Sequence, residues 1–302
     1  MSNHHQIACS FNLPRVVGEL RRSREDTHKI RHLGRVRELP SRDALEEVLK
    51  GIFAALFPTR YGRSDLTDET IDYFVGNVLS VALNTLSEQI RRGLYFSSSS
   101  NLDEEATFDA LAERLTALFA SELPEIRALI VSDIRAAMSG DPAATSVSEI
   151  LMCYPGVSAA IHYRIAHALY ELGSPLLARF ISEIAHSKTG VDIHPGAKIG
   201  EGFFIDHGTG VVIGQTAILG RNVRLYQAVT LGAKRFPEDD EGNIIKGAER
   251  HPILEDDVVI YAGATVLGRI TIGARSTIGG NVWLTKSVPP DSNISQAQTL
   301  GH

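Results

Sequence analysis

Cysteine is nearly absent from this chain: its 302 residues include two, Cys9 and Cys153. One possible pair so far apart is no disulfide framework, and a reducing compartment, the cytoplasm, is expected. Long apolar runs are missing as well, and no stretch of about 20 apolar residues offers a transmembrane helix. Met1 to Leu13 holds no basic flank followed by an apolar run, so no signal peptide is expected there. Positive charge is not in excess either. Thirty Lys and Arg stand against 36 Asp and Glu, a net charge of −6, so no overall basic field favours nucleic acid or an anionic membrane. What remains is ordinary for a globular protein, 43% hydrophobic and 22% charged, which excludes a wholly disordered chain. The length corresponds to about two domains.

Glycine divides the chain. Residues 190–302 hold 17 of the 26 glycines and residues 1–189 the other 9. Glycine is poor inside helices, so the first part can be helical and the second cannot. Residues 1–40 read as a poorly patterned, solvated arm, basic between Arg15 and Arg37. Ser41 is placed to cap a helix carrying Leu45, Val48, Leu49, Ile52, Phe53 and Leu56. A second stripe runs from Ile71 to Ile90 and is expected to end at Gly93, before a linker at Ser97–Ser100. A third holds Phe108, Leu111, Leu115, Leu118 and Phe119. Pro124 suits the first position of a separate helix ending at Gly140. Two further helices carry Ile161, Ile165 and Leu169, then, after the Ser174 cap, Leu177, Ile181 and Ile184. Recurrence at three and four residues is the amphipathic-helix pattern. His162, His167 and His186 fall on these helices and read as structural or surface residues.

From residue 193 the period becomes six. Ile193, Ile199 and Ile205 lead to Ile213, Leu219, Leu225 and Leu231, and the series resumes at Leu254, Ile260, Val266, Ile272, Ile278 and Leu284. Neither a helix nor an alternating strand has this period; a solenoid does, each hexad supplying one short strand and one turn. Three hexads, about 18 residues, close one triangular coil. The phase slips twice: two extra residues lie between Ile205 and Ile213, and an insertion covers roughly 233–252. The expected fold class is α+β: an N-terminal all-α domain (41–189), then a parallel β-helix (190–290) with its loop at 233–252, then a tail (291–302).

Within this frame the strings GDPAA (140–144), PGVSAAIHYRIAHAL (155–169), VDIHPGAKIGEGFFIDHGTGVVIGQTA (191–217), QAVTLGAK (227–234), ERHP (249–252) and GATVLG (263–268) are distinctive. Residues from about Asp141 to Pro290 resemble the serine O-acetyltransferases of the left-handed parallel β-helix acyltransferase superfamily. The resemblance implies acetyl transfer from acetyl-CoA to the hydroxyl of L-serine, giving O-acetyl-L-serine and CoA, the first step of cysteine biosynthesis. It further implies a homotrimer or a dimer of trimers, active sites between neighbouring solenoids, and feedback inhibition by L-cysteine. Many members dock a C-terminal isoleucine into cysteine synthase. Here the chain reads Leu300-Gly301-His302, and a stable complex with that enzyme is not expected.

A serine hydroxyl needs a base near neutral pH, and histidine is the natural one. His207 lies in IDHGTG beside the first phase slip, and Asp192 lies 15 residues earlier, close to one coil. The resemblance makes His207 the base and Asp192 its orienting partner, as in a triad lacking the enzyme serine. A zwitterionic substrate also needs an anion for its ammonium and a cation for its carboxylate. Arg250 suits the carboxylate through its bidentate fork, with His251 beside it; Asp141 and Asp206 are candidates for the ammonium. For acetyl-CoA, family matching points to Gly232, Ala233, Ala262 and Gly280, while Lys234, Arg235, Lys246, Arg275 and Lys286 are candidates for its phosphates. No metal is expected. A zinc hydratase on the same solenoid would instead use His194, His207 and His251. Cys153, before Tyr154-Pro155, reads as a packing residue and not as a nucleophile.

Overall fold

The computed structural model describes residues 12–27, 31–32, 35–36, 39–97, 105–235, 239 and 241–296. Cys9, the Ser98–Ser100 part of the expected linker, and Leu300, Gly301 and His302 lie outside them. The chain divides into two units, residues 1–39 and 40–302. In the first unit a helix, α1 (Leu13–Thr27), precedes an antiparallel hairpin of β1 (Arg31–His32) and β2 (Arg35–Val36). The expected arm therefore contains regular structure. Arg15 and Glu19, one helical turn apart at 2.9 Å, reinforce α1.

The second unit contains both helices and solenoid. Its helices are α2 (Arg42–Leu56), α3 (Pro58–Tyr61), α4 (Ile71–Ser97), α5 (Glu105–Gly140), α6 (Val147–Cys153), α7 (Pro155–Glu171) and α8 (Pro175–Thr189). Ser41 caps α2 as expected, its side chain accepting from the Ala44 amide at 3.3 Å. Ser174 occupies the N-cap of α8 without a side-chain hydrogen bond, and Pro175 stands at the first position. Among the described residues no helix is long and apolar enough to cross a membrane.

Two expected helix ends are overridden. α4 passes through Gly93, where an added Cβ would lie 2.7 Å from Leu177 Cδ1 of α8. The glycine serves close helix packing there instead of termination. α5 passes through Pro124. An interior proline costs about 3 kcal/mol, but the buried stripe Phe119, Leu123, Ile126, Ile130 and Ile134 continues across it. Each such buried side chain contributes roughly 1.5–3 kcal/mol, so continuity prevails.

The solenoid is a three-sided parallel β-helix. One face stacks β3 (Asp192–Ile193), β6 (Val212–Ile213), β9 (Thr230–Gly232), β12 (Thr265–Leu267) and β15 (Trp283–Leu284). The second stacks β4 (Lys198–Ile199), β7 (Ile218–Leu219), β10 (Ile253–Leu254) and β13 (Thr271–Ile272). The third stacks β5 (Phe204–Ile205), β8 (Arg224–Leu225), β11 (Val259–Ile260), β14 (Thr277–Ile278) and β16 (Asn293–Ile294). The expected tail thus contributes a last strand. The six-residue aliphatics point inward and are buried from Ile193 to Leu284. Register fixes the two slips. Asp192 pairs with Val212, 20 residues on; Val212 with Thr230, 18 on; Thr230 with Thr265, 35 on. The first slip adds two residues to a coil of 18 and the insertion adds 17.

A buried ion pair joins helices to solenoid. Arg164 of α7 forks onto Asp133 of α5 at 3.0 and 3.1 Å, and its other donors reach the Ile199 and Gly200 carbonyls at 2.6 and 2.5 Å. Asp133 also accepts from the Phe203 amide at 2.8 Å. Burial raises the Asp133 pKa, with Arg164 opposing. Removing either partner would strand a buried charge, so this pair fixes where α5 and α7 meet the first coil.

Candidate active site

Two corners of the prism hold the chemistry. The first lies between the third face and the first, where β5 turns toward β6. There Asp206 and His207 follow Ile205, and His207 adopts left-handed backbone at φ 60°. His207 is 71% exposed at its side chain, with Nε2 3.9 Å from Asp206 Oδ1. Asp206 Oδ2 lies 3.4 Å from an Arg224 guanidinium nitrogen. Arg224 in turn lies over the rings of Phe204 and Tyr226 at 5.1 and 4.8 Å. Tyr226 stacks on Tyr261 one coil above at 4.9 Å.

The helices deliver a second carboxylate to this corner. Asp141 follows the end of α5 and accepts from the Tyr154 hydroxyl at 2.5 Å and the Ala143 amide at 2.8 Å. These bonds, the Tyr154 one first, lower the Asp141 pKa, and the charges of Arg224 and His207 act the same way. The reciprocal effect pushes Tyr154 up to about 12, chiefly through its bond to Asp141. Gly156 permits the approach: an added Cβ there would lie 2.1 Å from the Ile205 carbonyl oxygen. The start of α7 therefore presses on the end of β5, just before Asp206. Cys153, expected as a packing residue, is exposed on α6, because the packing face of that turn is taken by Ile150 and Leu151.

Asp192 opens β3 on the far side of the same corner. Among the described residues no hydrogen bond joins it to His207; its neighbours are Glu183 and His186, with one ligand atom of each of the three within 4.8 Å of the others. The expected Asp192–His207 contact is not formed within this chain.

The second corner lies between the first face and the second. The 17-residue insertion leaves after β9 and returns into β10 through Arg250 and His251. Arg250 donates to Gln215 Oε1 at 3.0 Å and to the Ala248 carbonyl at 3.0 Å. Gln215 donates onward to the Tyr170 hydroxyl at 3.1 Å. His251 is buried, and its Nδ1 accepts from the Thr216 amide at 3.1 Å, which leaves the proton on Nε2. Burial, then the charges of Arg250 and Arg269, lower its pKa to about 4. His194 of the same corner is lowered to about 4 mainly by burial. A cavity of about 440 Å³ lies here, lined by Gln215, Ile244, Ile245, Lys246, Gly247 and Arg250. His194 and His251 thus share one corner while His207 occupies another, so the three histidines of the zinc alternative do not converge within one chain.

The small residues expected at acetyl-CoA divide in the same way. The corner hydrogen bonds, Ala228 N–H to the Thr209 carbonyl, Gly263 N–H to that of Gln227 and Asn281 N–H to that of Ala262, set Thr209, Gln227, Ala262 and Gly280 in one column up the first corner, with His207 two residues before its lowest member. Gly232 closes β9 and Ala233 follows it at the second corner. Of the phosphate candidates, Arg275 is committed elsewhere, forking onto Asp291 at 2.7 and 2.8 Å.

Sequence reasoning missed Tyr154, Tyr170, Gln215, Thr216, Arg224 and Tyr226. Coil arithmetic carries the signal for several: Gln215 and Thr216 lie 35 residues before Arg250 and His251, and Tyr226 lies 20 after Asp206. Tyr154 and Tyr170 come from helices and obey no such arithmetic.

Comparison with known proteins agrees with this architecture. Residues 251–286 match the family model "Bacterial transferase hexapeptide (six repeats)". A plasmid-encoded serine acetyltransferase of Synechococcus elongatus is 55% identical over 303 residues, covering 98% of this chain and 94% of the relative. The crystal structure of Entamoeba histolytica serine acetyltransferase isoform 3 in complex with cysteine superposes with a TM-score of 0.69 at 35% identity, over 94% of this chain and 92% of that one. Soybean serine acetyltransferase complexed with serine gives 0.53 at 33% identity, over 84% and 96%. With helices followed by hexapeptide coils, and a relative this close along nearly its whole length, the chain belongs to the serine acetyltransferase family of left-handed parallel β-helix acyltransferases.

Proposed function

We propose that this acetyltransferase uses His207 as the general base that takes the proton of the L-serine hydroxyl as its oxygen attacks the thioester of acetyl-CoA. The resulting imidazolium then protonates the departing CoA thiolate, so O-acetyl-L-serine and CoA leave and His207 is restored. The observation that carries this reading is the convergence of Asp141, Asp206 and His207 at one corner. They come from a helix end and a strand end, and they combine an exposed imidazole with two carboxylates. The carboxylates receive the ammonium of serine. Arg250 receives its carboxylate, and His251, neutral with its proton on Nε2, is a second donor. Asp192 orients His207 once the corner is enclosed.

His207 and Arg250 lie at different corners of one prism, so one amino acid cannot meet both within a single chain. A neighbouring solenoid supplies the missing half, and the working unit is a homotrimer. Acetyl-CoA lies in the groove between solenoids. Ala262 and Gly280 line one wall, and Gly232 and Ala233 of the neighbour line the other. Gly280 stands three coils above His207, about 14 Å at the usual strand spacing, so an extended pantetheine arm would run up the column from the base. L-Cysteine fits the same ammonium and carboxylate contacts and acts as feedback inhibitor. CoA release measured with L-serine, L-homoserine and a hexose side by side tests the reading: L-serine is expected to dominate, and equal turnover of the hexose would overturn it.

A further inference from the structure

We infer that Gln215 and Tyr170 form a positioning relay that aims the Arg250 guanidinium, so that recognition of the substrate carboxylate depends on a helix outside the solenoid; this rests on the assignment of Arg250 to the carboxylate. Arg250 is carried by the end of a 17-residue insertion, a poor platform for a bidentate contact. Its side chain is nevertheless fixed at two points, the Ala248 carbonyl and Gln215 Oε1, each at 3.0 Å. The first contact is local and moves with the loop. The second reaches one coil down, to a residue in the register of the prism.

Gln215 is itself oriented. Its amide nitrogen donates to the Tyr170 hydroxyl at 3.1 Å, which settles which end of the amide faces Arg250. Tyr170 lies in the last turn of α7, and its ring meets the His194 ring edge-on at 5.9 Å. Gly196 leaves room for the meeting: an added Cβ there would lie 3.1 Å from Tyr170 Cζ and 3.2 Å from Gln215 Cγ, a tight fit against both. A glycine, a tyrosine and a glutamine from three separate stretches thus converge behind one arginine. The amide oxygen is a neutral acceptor, so it orients the guanidinium without cancelling its charge. A hydrogen bond to an ionised group is stronger than a neutral one, and a guanidinium held in place loses less conformational freedom when it closes on a carboxylate.

The test is a double-mutant cycle on the full-length protein, with KM for L-serine, KM for acetyl-CoA and kcat measured for each variant. Gln215→Met keeps the volume and removes both bonds. It is expected to raise the serine KM about tenfold, the scale of one hydrogen bond to a charged group, with kcat and the acetyl-CoA KM within about twofold. Gln215→Glu keeps an acceptor but sets an anion on Arg250 and loses the donor to Tyr170, so it is expected to leave the serine KM raised, with kcat again within about twofold. In an Arg250→Ala background, Gln215→Met is expected to add nothing. Equal effects of Gln215→Met with and without Arg250 would overturn the relay, as would a serine KM left unchanged by Gln215→Met while Arg250→Ala raises it. A general fall in kcat and in both affinities with Gln215→Met would make Gln215 merely structural and overturn the relay too. If Arg250→Ala leaves the serine KM unchanged, the assignment of Arg250 to the carboxylate fails instead.

Discussion

His207 and Gly210 share one corner of the solenoid, both in left-handed backbone, at φ 60° and 78°. Gly210 stands in the ordinary corner column, which Ala228, Gly263 and Asn281 continue at the same kind of backbone. His207 has no counterpart in that column. Together with Gly208 at φ 89°, it belongs to the extra turn created by the two-residue slip. The slip therefore lifts an imidazole off a surface otherwise built from small turn residues.

Left-handed backbone costs a residue bearing a Cβ about 1–2 kcal/mol, which glycine avoids. His207→Gly is expected to stabilise the fold by up to about 1 kcal/mol, since glycine gives back part of the gain as chain entropy. The same change should lower kcat by roughly 10²–10⁴, the usual contribution of a general base. Thermal unfolding and steady-state turnover on the same preparation check both. A variant that is no more stable and still turns over near the wild-type rate removes His207 from the mechanism.

Asp192 is expected to matter only when the corner is enclosed, because within one chain it faces Glu183 and His186. Asp192→Asn should reduce kcat through the wrong imidazole tautomer while leaving the acetyl-CoA KM unchanged. Unaltered kcat would show that Asp206, 3.9 Å from His207, is partner enough.

The six-residue period, both slips and the placement of Asp206 and His207 at a turn were legible in the sequence because each is local: Ile205, Asp206 and His207 are consecutive, and a hexad repeats its own inward residue. What was illegible depends on stacking. Gln215 reaches Arg250 only because an insertion of 17 residues completes a spacing of 35, and the length of a loop says nothing of what its return lands on. Tyr154 and Arg224 reach Asp141 and Asp206 through a helix end and a neighbouring coil. Pro124 and Gly93 misled because helix-breaking propensity is a local cost, outweighed by a buried face that continues on either side.

Three histidines make the fold sensitive to acid. His162, His194 and His251 are all lowered to about 4, chiefly by burial, against an ordinary value near 6.5. Between those values the unfolded chain binds more protons than the folded one, so stability is complete above pH 6.5 and declines as pH falls toward 4. His162, on α7 and edge-on to Phe53 at 4.9 Å, lies apart from both corners. His162→Gln is expected to flatten the decline by close to one proton, read from urea midpoints across pH 4–7. An unchanged slope would mean that His162 does not titrate in this range.

Direct transfer predicts intersecting initial-rate plots and no acetyl-enzyme. Cys153 is the one described cysteine and is exposed, so it is the side chain to test as a covalent relay. Cys153→Ser should keep wild-type kcat, and mass spectrometry after mixing with acetyl-CoA alone should show no added acetyl group. Parallel plots, the signature of a ping-pong route, would defeat the claim.

L-Cysteine differs from L-serine only at the side-chain heteroatom, so its ammonium and carboxylate should meet the same Asp141, Asp206 and Arg250. Tyr154 and then the Ala143 amide lower the Asp141 pKa, so the anion offered to the ammonium is held in its charged form. Arg250 is fixed by Gln215 and Ala248 before any ligand arrives, so both amino acids meet the same preformed fork. Arg250→Ala should therefore weaken both together, by roughly 2–5 kcal/mol for a buried charge pair. The ratio of serine KM to cysteine inhibition constant should stay nearly constant. Two titrations on wild type and Arg250→Ala decide the matter. If serine binding collapses while cysteine inhibition is intact, the inhibitor occupies a different site, and feedback here is allosteric instead of competitive.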